Sequence, residues 1–266
     1  MTRIITVANQ KGGVGKTTST VNIAAAVAQS GKDVLVIDMD PQGNASTALG
    51  ADHREGTPSV YEVLSGESTL LDVAQQCPDI PRLWTAPATI DLAGAEIELV
   101  AQVAREYRLS RAIEAALAER SFDYVFLDCP PSLGLLTLNG LVAAREVLLP
   151  IQCEYYALEG LSQLLRTIDM VRTHLNPTLV VGAILLTMYD GRTRLASQVA
   201  TEVRTHFGEQ VLDTVIPRSV RVSEAPSYSQ TVLTYEPTSS GAIAYLEAAQ
   251  QLMALNPGYT QGYPQK

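Results

Sequence analysis

The stretch Gln10-Lys11-Gly12-Gly13-Val14-Gly15-Lys16-Thr17-Thr18 decides the fold, because it joins an apolar run at Ile4 to Ala8 to a segment of helical period. Its three glycines let the backbone curl so that successive N–H groups face inward. The helix start adds its partial positive charge, and together these features cradle phosphate oxygens. Gly12, Gly13, Val14, Gly15, Lys16, Thr17 and Thr18 form the cradle in this reading, with Lys16 reaching the β- and γ-phosphates and Thr17 ligating Mg²⁺. The strict G-x-x-x-x-G-K-[ST] pattern is broken, since Gln10 occupies its first glycine position and Lys11 follows it. Only four lysines occur in the chain, Lys11, Lys16, Lys32 and Lys266, so a pair within this loop points to use of both. A dinucleotide-binding G-x-G-x-x-G would need Gly or Ala where Thr18 stands.

Two further apolar runs end in acids. Val34 to Asp38 continues into Met39-Asp40-Pro41-Gln42-Gly43, and Tyr124 to Asp128 continues into Cys129-Pro130-Pro131. Acids leaving the carboxyl ends of strands beside a phosphate loop stand at the ligand-binding edge of a parallel sheet. Asp38, Asp40 and Asp128 are therefore candidates for orienting a water or holding a metal shell.

The same alternation extends along the chain. Strands are predicted at Ile4 to Ala8, Val34 to Asp38, Leu83 to Ala86, Tyr124 to Asp128, Val147 to Ile151 and Val180 to Thr187. Helices are predicted near 16–29, 59–64, 110–119, 135–144, 158–174, 194–207 and 239–255. Continuous apolar strands separated by helical crossovers imply an α/β fold, a mostly parallel sheet covered by helices on both faces. One domain is expected over 1–255, with a flexible Gly/Pro/Gln-rich tail at 256–266.

With 46% hydrophobic and 18% charged residues the 266-residue chain can bury a large core, which excludes disorder as its main state. Its apolar runs are too short for the ~20 residues of a membrane span, and the amino terminus lacks a secretory pattern. A cytoplasmic location is expected. Cys77, Cys129 and Cys153 are too scattered for a disulfide framework or a metal knuckle.

Beyond the phosphate loop, D-x-D-P-Q-G-N at 38–44, F-D-Y-V-F-L-D-C-P-P-S at 122–132, E-Y-Y-A-L-E-G at 154–160, T-M-Y-D-G-R-T at 187–193 and I-P-R-S-V-R-V-S-E-A-P-S at 216–227 carry a resemblance. From Arg3 to about Leu255 the chain resembles the ParA/Soj chromosome-partition ATPases, phosphate-loop NTPases of the deviant Walker A type. The resemblance implies ATP and Mg²⁺ as cofactors, sandwiched in an ATP-dependent homodimer. It implies that Lys11 reaches the partner's phosphates, that Lys16 binds the β/γ-phosphates and that Asp40 positions the attacking water. Thr17, Asp38 and Asp128 would serve the metal, Pro217 and Arg218 would flank the adenine, and Gly12 would lie where the subunits approach.

The resemblance also implies non-specific binding of double-stranded DNA, a ParB-type centromere-binding partner that stimulates slow hydrolysis, and nucleoid association of the ATP-bound form. The net charge of −9 argues against nucleic acid as a whole, but charge is distributed by face. From Thr187 to Arg221 five arginines stand against four carboxylates, leaving −10 on the other 231 residues. Arg192 and Arg221 are the favoured phosphate contacts. With the loop beginning at residue 10, no amino-terminal helix-turn-helix for operator reading is expected.

Two rivals share the loop. A MinD-like membrane-cycling ATPase needs a basic amphipathic tail, and residues 222–265 contain no Lys or Arg. A metabolic relative, an amidoligase or an iron–sulfur reductase component, would need chemistry of its own. Cys129 is followed by Pro130-Pro131 and has no second cysteine placed to share a cluster.

Overall fold

The computed structural model describes residues 1–154 and 157–255, and for 157–160 only the helical backbone; the expected tail at 256–266 lies outside the described residues. The first half of the chain runs β1 (Arg3–Val7), α1 (Lys16–Gln29), β2 (Val34–Asp38), α2 (Asn44–Ala48), α3 (Val60–Ser65), α4 (Leu70–Val73), β3 (Gln75–Gln76), β4 (Leu83–Ala86), α5 (Leu92–Glu98) and α6 (Arg108–Glu119). The second runs β5 (Tyr124–Asp128), α7 (Leu135–Ala143), β6 (Glu146–Gln152), α8 (Ala157–His174), β7 (Val180–Tyr189), α9 (Arg194–Phe207), β8 (Val211–Pro217), α10 (Val220–Glu224), α11 (Val232–Tyr235) and α12 (Ser240–Ala254).

One eight-stranded sheet has the order β3-β4-β2-β5-β1-β6-β7-β8, parallel except for the short edge strand β3. Central strands are buried on both faces, which is why their sequences are unbroken apolar runs. Alternate residues feed separate cores. Leu35, Ile37, Val125 and Leu127 meet α3 to α9 on one face, whereas Ile5, Val34, Val36 and Phe126 meet α1, α2, α11 and α12 on the other. Ala24, Ala25, Ala26 and Ala28 of α1 pack in the same cluster as Ala244, Ala248 and Ala249 of α12.

The registers set the site. Val7 pairs with Asp128, and Asp38 also pairs with Asp128, so β1, β5 and β2 end side by side. The phosphate loop therefore leaves the sheet beside the strands that deliver the acids, next to β5 with β2 beyond it.

At the other end of β1, Arg3 joins three elements. It donates to both carboxylate oxygens of Glu146 on β6 at 2.9 and 2.6 Å and to the Leu252 carbonyl of α12 at 2.8 Å. Glu146 is only 2% exposed. Removing one member of a buried pair leaves an uncompensated charge, so Arg3→Ala should cost about 3 kcal/mol. A urea midpoint unchanged from the parent would show that the pair contributes nothing net.

Candidate nucleotide site

Helix α1 starts at Gly15, whose φ of 86° is costly for any residue with a Cβ. No side chain caps this start and no acid occupies the first turn. Its leading N–H groups are thus left uncapped by side chains among the described residues, which is what an anion site requires. A Cβ at Gly12 or Gly13 would meet nothing within 4 Å, so the space above the loop is open.

The loop is braced from beneath. Asn9 donates to the Pro150 carbonyl at 2.8 Å and accepts from the Lys11 N–H at 3.1 Å, while Thr187 donates to the Val14 carbonyl at 2.8 Å. Neither Asn9 nor Thr187 is chosen by the sequence reading. Hydroxyls and amides that brace a loop leave no spacing signature.

A cavity of about 480 Å³ lies against the loop, lined by Gly12, Gly13, Gly15, Lys16, Thr17, Thr18 and Asp40 on one side. Met188 and Pro226 line it on the other. Met188 has φ 51°, a left-handed conformation that a bulky residue seldom adopts. Val14 is 1% exposed and turns into the core rather than the cavity.

Lys16 is 7% exposed, and its ammonium donates to the Lys11 carbonyl at 3.3 Å. Burial pulls its pKa below the ordinary lysine value, opposed by Asp128 and Asp40. Lys11 points away. Its side chain is 44% exposed and meets Glu154 at 3.4 Å.

The three acids differ in use. Asp128 accepts from the Thr17 hydroxyl at 2.7 Å and from the Thr20 hydroxyl at 2.8 Å, placing a carboxylate and a hydroxyl together at the helix start. Asp38 instead accepts from the Asp40 N–H at 3.1 Å and from the Ser46 N–H and hydroxyl at 2.8 and 2.7 Å. Both carboxyls are fully buried, and burial raises both above the usual carboxylate range. Asp38 is not among the cavity residues and holds the turn that carries Asp40. Asp40 lines the cavity and accepts from the Gln42 N–H at 3.0 Å.

Other sequence candidates lie elsewhere. Pro217 and Arg218 are outside the cavity lining, and Arg218 faces Glu154 at 3.6 Å. Arg192 is 88% exposed and pairs with Asp190 at 2.8 Å, holding that carboxyl down at about 2. Arg221, 54% exposed, pairs with Glu224 at 3.0 Å. Glu154 itself belongs to the segment 154–160, where the sequence reading assigned no individual role.

A family model described as an AAA domain matches residues 2–181. The sporulation initiation inhibitor protein Soj of Bacillus subtilis is 50% identical over 254 residues, which cover 96% of this chain and 99% of that protein. The chromosome partitioning protein ParA of Caulobacter vibrioides is 50% identical over 252 residues, covering 95% and 94%. The chain belongs to the ParA/Soj family of chromosome-partitioning ATPases.

Among solved structures the ParA/Soj chain is similar to a Mycobacterium smegmatis protein titled cobyrinic acid a,c-diamide synthase with bound ADP and magnesium. That protein is 42% identical with TM-score 0.82, over 95% of this chain and 94% of the other. The cell division ATPase MinD of Pyrococcus furiosus is 26% identical with TM-score 0.78, over 95% and 99%. The α/β phosphate-loop fold expected from the sequence is thus the fold of these neighbours.

Proposed function

We propose that this ParA/Soj ATPase binds ATP with Mg²⁺ at the glycine loop, closes as a dimer around it, and in that state binds DNA without sequence preference. Hydrolysis is slow and is stimulated by a ParB-type centromere-binding partner, so that the protein drives chromosome or plasmid segregation from the cytoplasm and the nucleoid. The observation that carries the reading is the division of labour between the two lysines. Lys16 is buried against the cavity, whereas Lys11 points outward at its mouth, free to serve a second molecule once Glu154 lets go.

The donor set fits the ligand. Open glycines and uncapped N–H groups suit phosphate, and the adjoining Thr17 hydroxyl and Asp128 carboxylate are the hard oxygens a divalent cation selects. Bound Mg²⁺ supplies positive charge to the phosphate oxygens. Lys16 holds the β/γ-phosphates, and Asp40, kept in the cavity by the Asp38–Ser46 turn, orients the attacking water and takes its proton. Lys11 of the second subunit adds charge where it develops in the transition state, as arginine fingers do.

DNA binding would rest on the carboxyl-terminal half, with Arg192 and Arg221 as phosphate contacts. Each pairs with its own carboxylate, so engaging DNA exchanges one exposed ion pair for another at small cost. Arg192→Glu with Arg221→Glu should abolish retention of the ATP-bound protein on random DNA while leaving dimerisation intact. Each lost phosphate contact lowers the salt slope by ~0.9. Unchanged retention would move the DNA surface elsewhere.

The likeness to a cobyrinic acid a,c-diamide synthase raises amide synthesis as a rival. An amidation that takes nitrogen from glutamine uses an activated thiol. All three cysteines are buried, and burial raises each thiol, Cys153 to about 11 and Cys129 further, so none is poised as a nucleophile. A MinD-like membrane cycle is disfavoured because it needs a basic amphipathic segment, and residues 222–265 contain no Lys or Arg. Among the described residues no helix is long and apolar enough to cross a membrane.

A further inference from the structure

Between β4 and α6 the chain turns apolar side chains into water. Ile90, Ile97, Val100 and Val103 are 61, 79, 59 and 91% exposed, a concentration that marks an interaction surface. Val100 edges a cavity of about 350 Å³ whose floor includes Leu133, Leu135 and Leu138 and whose far wall is Thr167 of α8. Met170, one turn beyond Thr167, is 59% exposed and prolongs the apolar wall.

Acids outnumber bases along the segment that edges this groove. From Ile90 to Tyr107 the carboxylates are Asp91, Glu96, Glu98 and Glu106, against the single guanidinium of Arg105. Arg105 is already engaged by Glu106 at 3.0 Å and the Val100 carbonyl at 2.6 Å. Among the described residues Oε1 of Glu96 is buried with no hydrogen-bond partner, and the carboxylate lies so close to Gly134 that a Cβ there would clash. The nearby start of α7 offers it favourable charge but no donated hydrogen bond. A carboxylate oxygen left in this state is destabilising until a donor arrives.

We propose that this groove docks a basic amphipathic segment of a protein partner. Its apolar side would lie on Val100, Leu133 and Leu138, and its ammonium or guanidinium groups would reach Glu96 and Asp91. The inference rests on the partner-stimulated reading above and assigns the place of contact. It also supplies a route to the nucleotide. Leu133 and Gly134 follow Asp128 in one short loop, and Pro131 between them lines the nucleotide cavity, so the occupant bears on the loop that leaves a metal-shell acid. A second copy of the chain docked by a two-fold axis would oppose like acidic rims, which disfavours it as occupant.

The test uses the full-length ATP-bound protein and a purified ParB-type partner, with affinity measured by anisotropy. Val100→Asp and Asp91→Lys alter exposed side chains and should leave melting temperature and unstimulated hydrolysis at parental values. Each should weaken partner binding about tenfold or more, as loss of a central contact does. Parental affinity in both variants would overturn the groove while leaving the partner reading intact. No binding even by the parent would remove both. Loss of ATP-dependent dimerisation in Val100→Asp would assign the groove to a second copy and overturn the proposal.

Discussion

Lys16→Ala should lose nucleotide affinity by about 100-fold or more, since a charge-assisted hydrogen bond contributes about 1.5–3 kcal/mol and two phosphates share this ammonium. Among the described residues no other lysine or arginine lines the cavity to replace it. The substitution also leaves Asp128 and Asp40 without their nearest cation, so a melting curve should accompany calorimetry with a non-hydrolysable analogue. Parental affinity in a folded variant would take the phosphates away from Lys16.

Asp40→Ala should behave in the opposite way, binding ATP and dimerising normally while turnover falls about 10²–10⁴-fold, the usual worth of a positioned general base. The loop and Lys16 that hold the phosphates are untouched by the change, so the expected species on size exclusion is a persistent ATP dimer. Lys11→Ala makes the contrast sharper. It should bind ATP as a monomer and neither dimerise nor hydrolyse, because the target proposed for it is on the other subunit. Normal turnover in Asp40→Ala would transfer the base to another acid, and normal dimerisation in Lys11→Ala would return that lysine to its own chain.

The strands that position this site were legible because each is an unbroken apolar run. Val34–Asp38, Leu83–Ala86 and Tyr124–Asp128 stand where the sequence places them. Ser59, predicted as the first helical residue, is the cap of α3, its side chain accepting from the Tyr61 N–H and exchanging with Glu62. β8 was missed. Asp213 and Thr214 interrupt its apolar run, and as an outer strand it is only partly buried. β3 is two residues long and α2 little more than a turn, too short for any period to show.

Within the site, spacing gave the loop and the acids but not how each acid is used. Asp38 and Asp128 look alike in sequence, each ending a strand. Ser46, eight residues further along, captures Asp38, and Thr17 and Thr20 capture Asp128. That difference depends on which hydroxyl the fold brings near, and a linear pattern carries no record of it. The Lys11–Glu154–Arg218 cluster is hidden for the same reason, since it joins three segments that are remote along the chain.

The strand bearing the phosphate loop is the first made and waits long for its neighbours. β1 sits in the middle of the sheet, with β5 on one side and β6 on the other, and both flanks are more than a hundred residues downstream. During synthesis the loop therefore emerges on an unpaired apolar strand, and its long-range pairings make the sheet a slow one to close. A nascent chain cut before Glu146 carries every residue of the glycine motif yet lacks β6, one of the two strands that flank β1. The loop is thus flanked on both sides only in chains that have passed the midpoint of translation, which ties the shape of the cradle to completion of the fold.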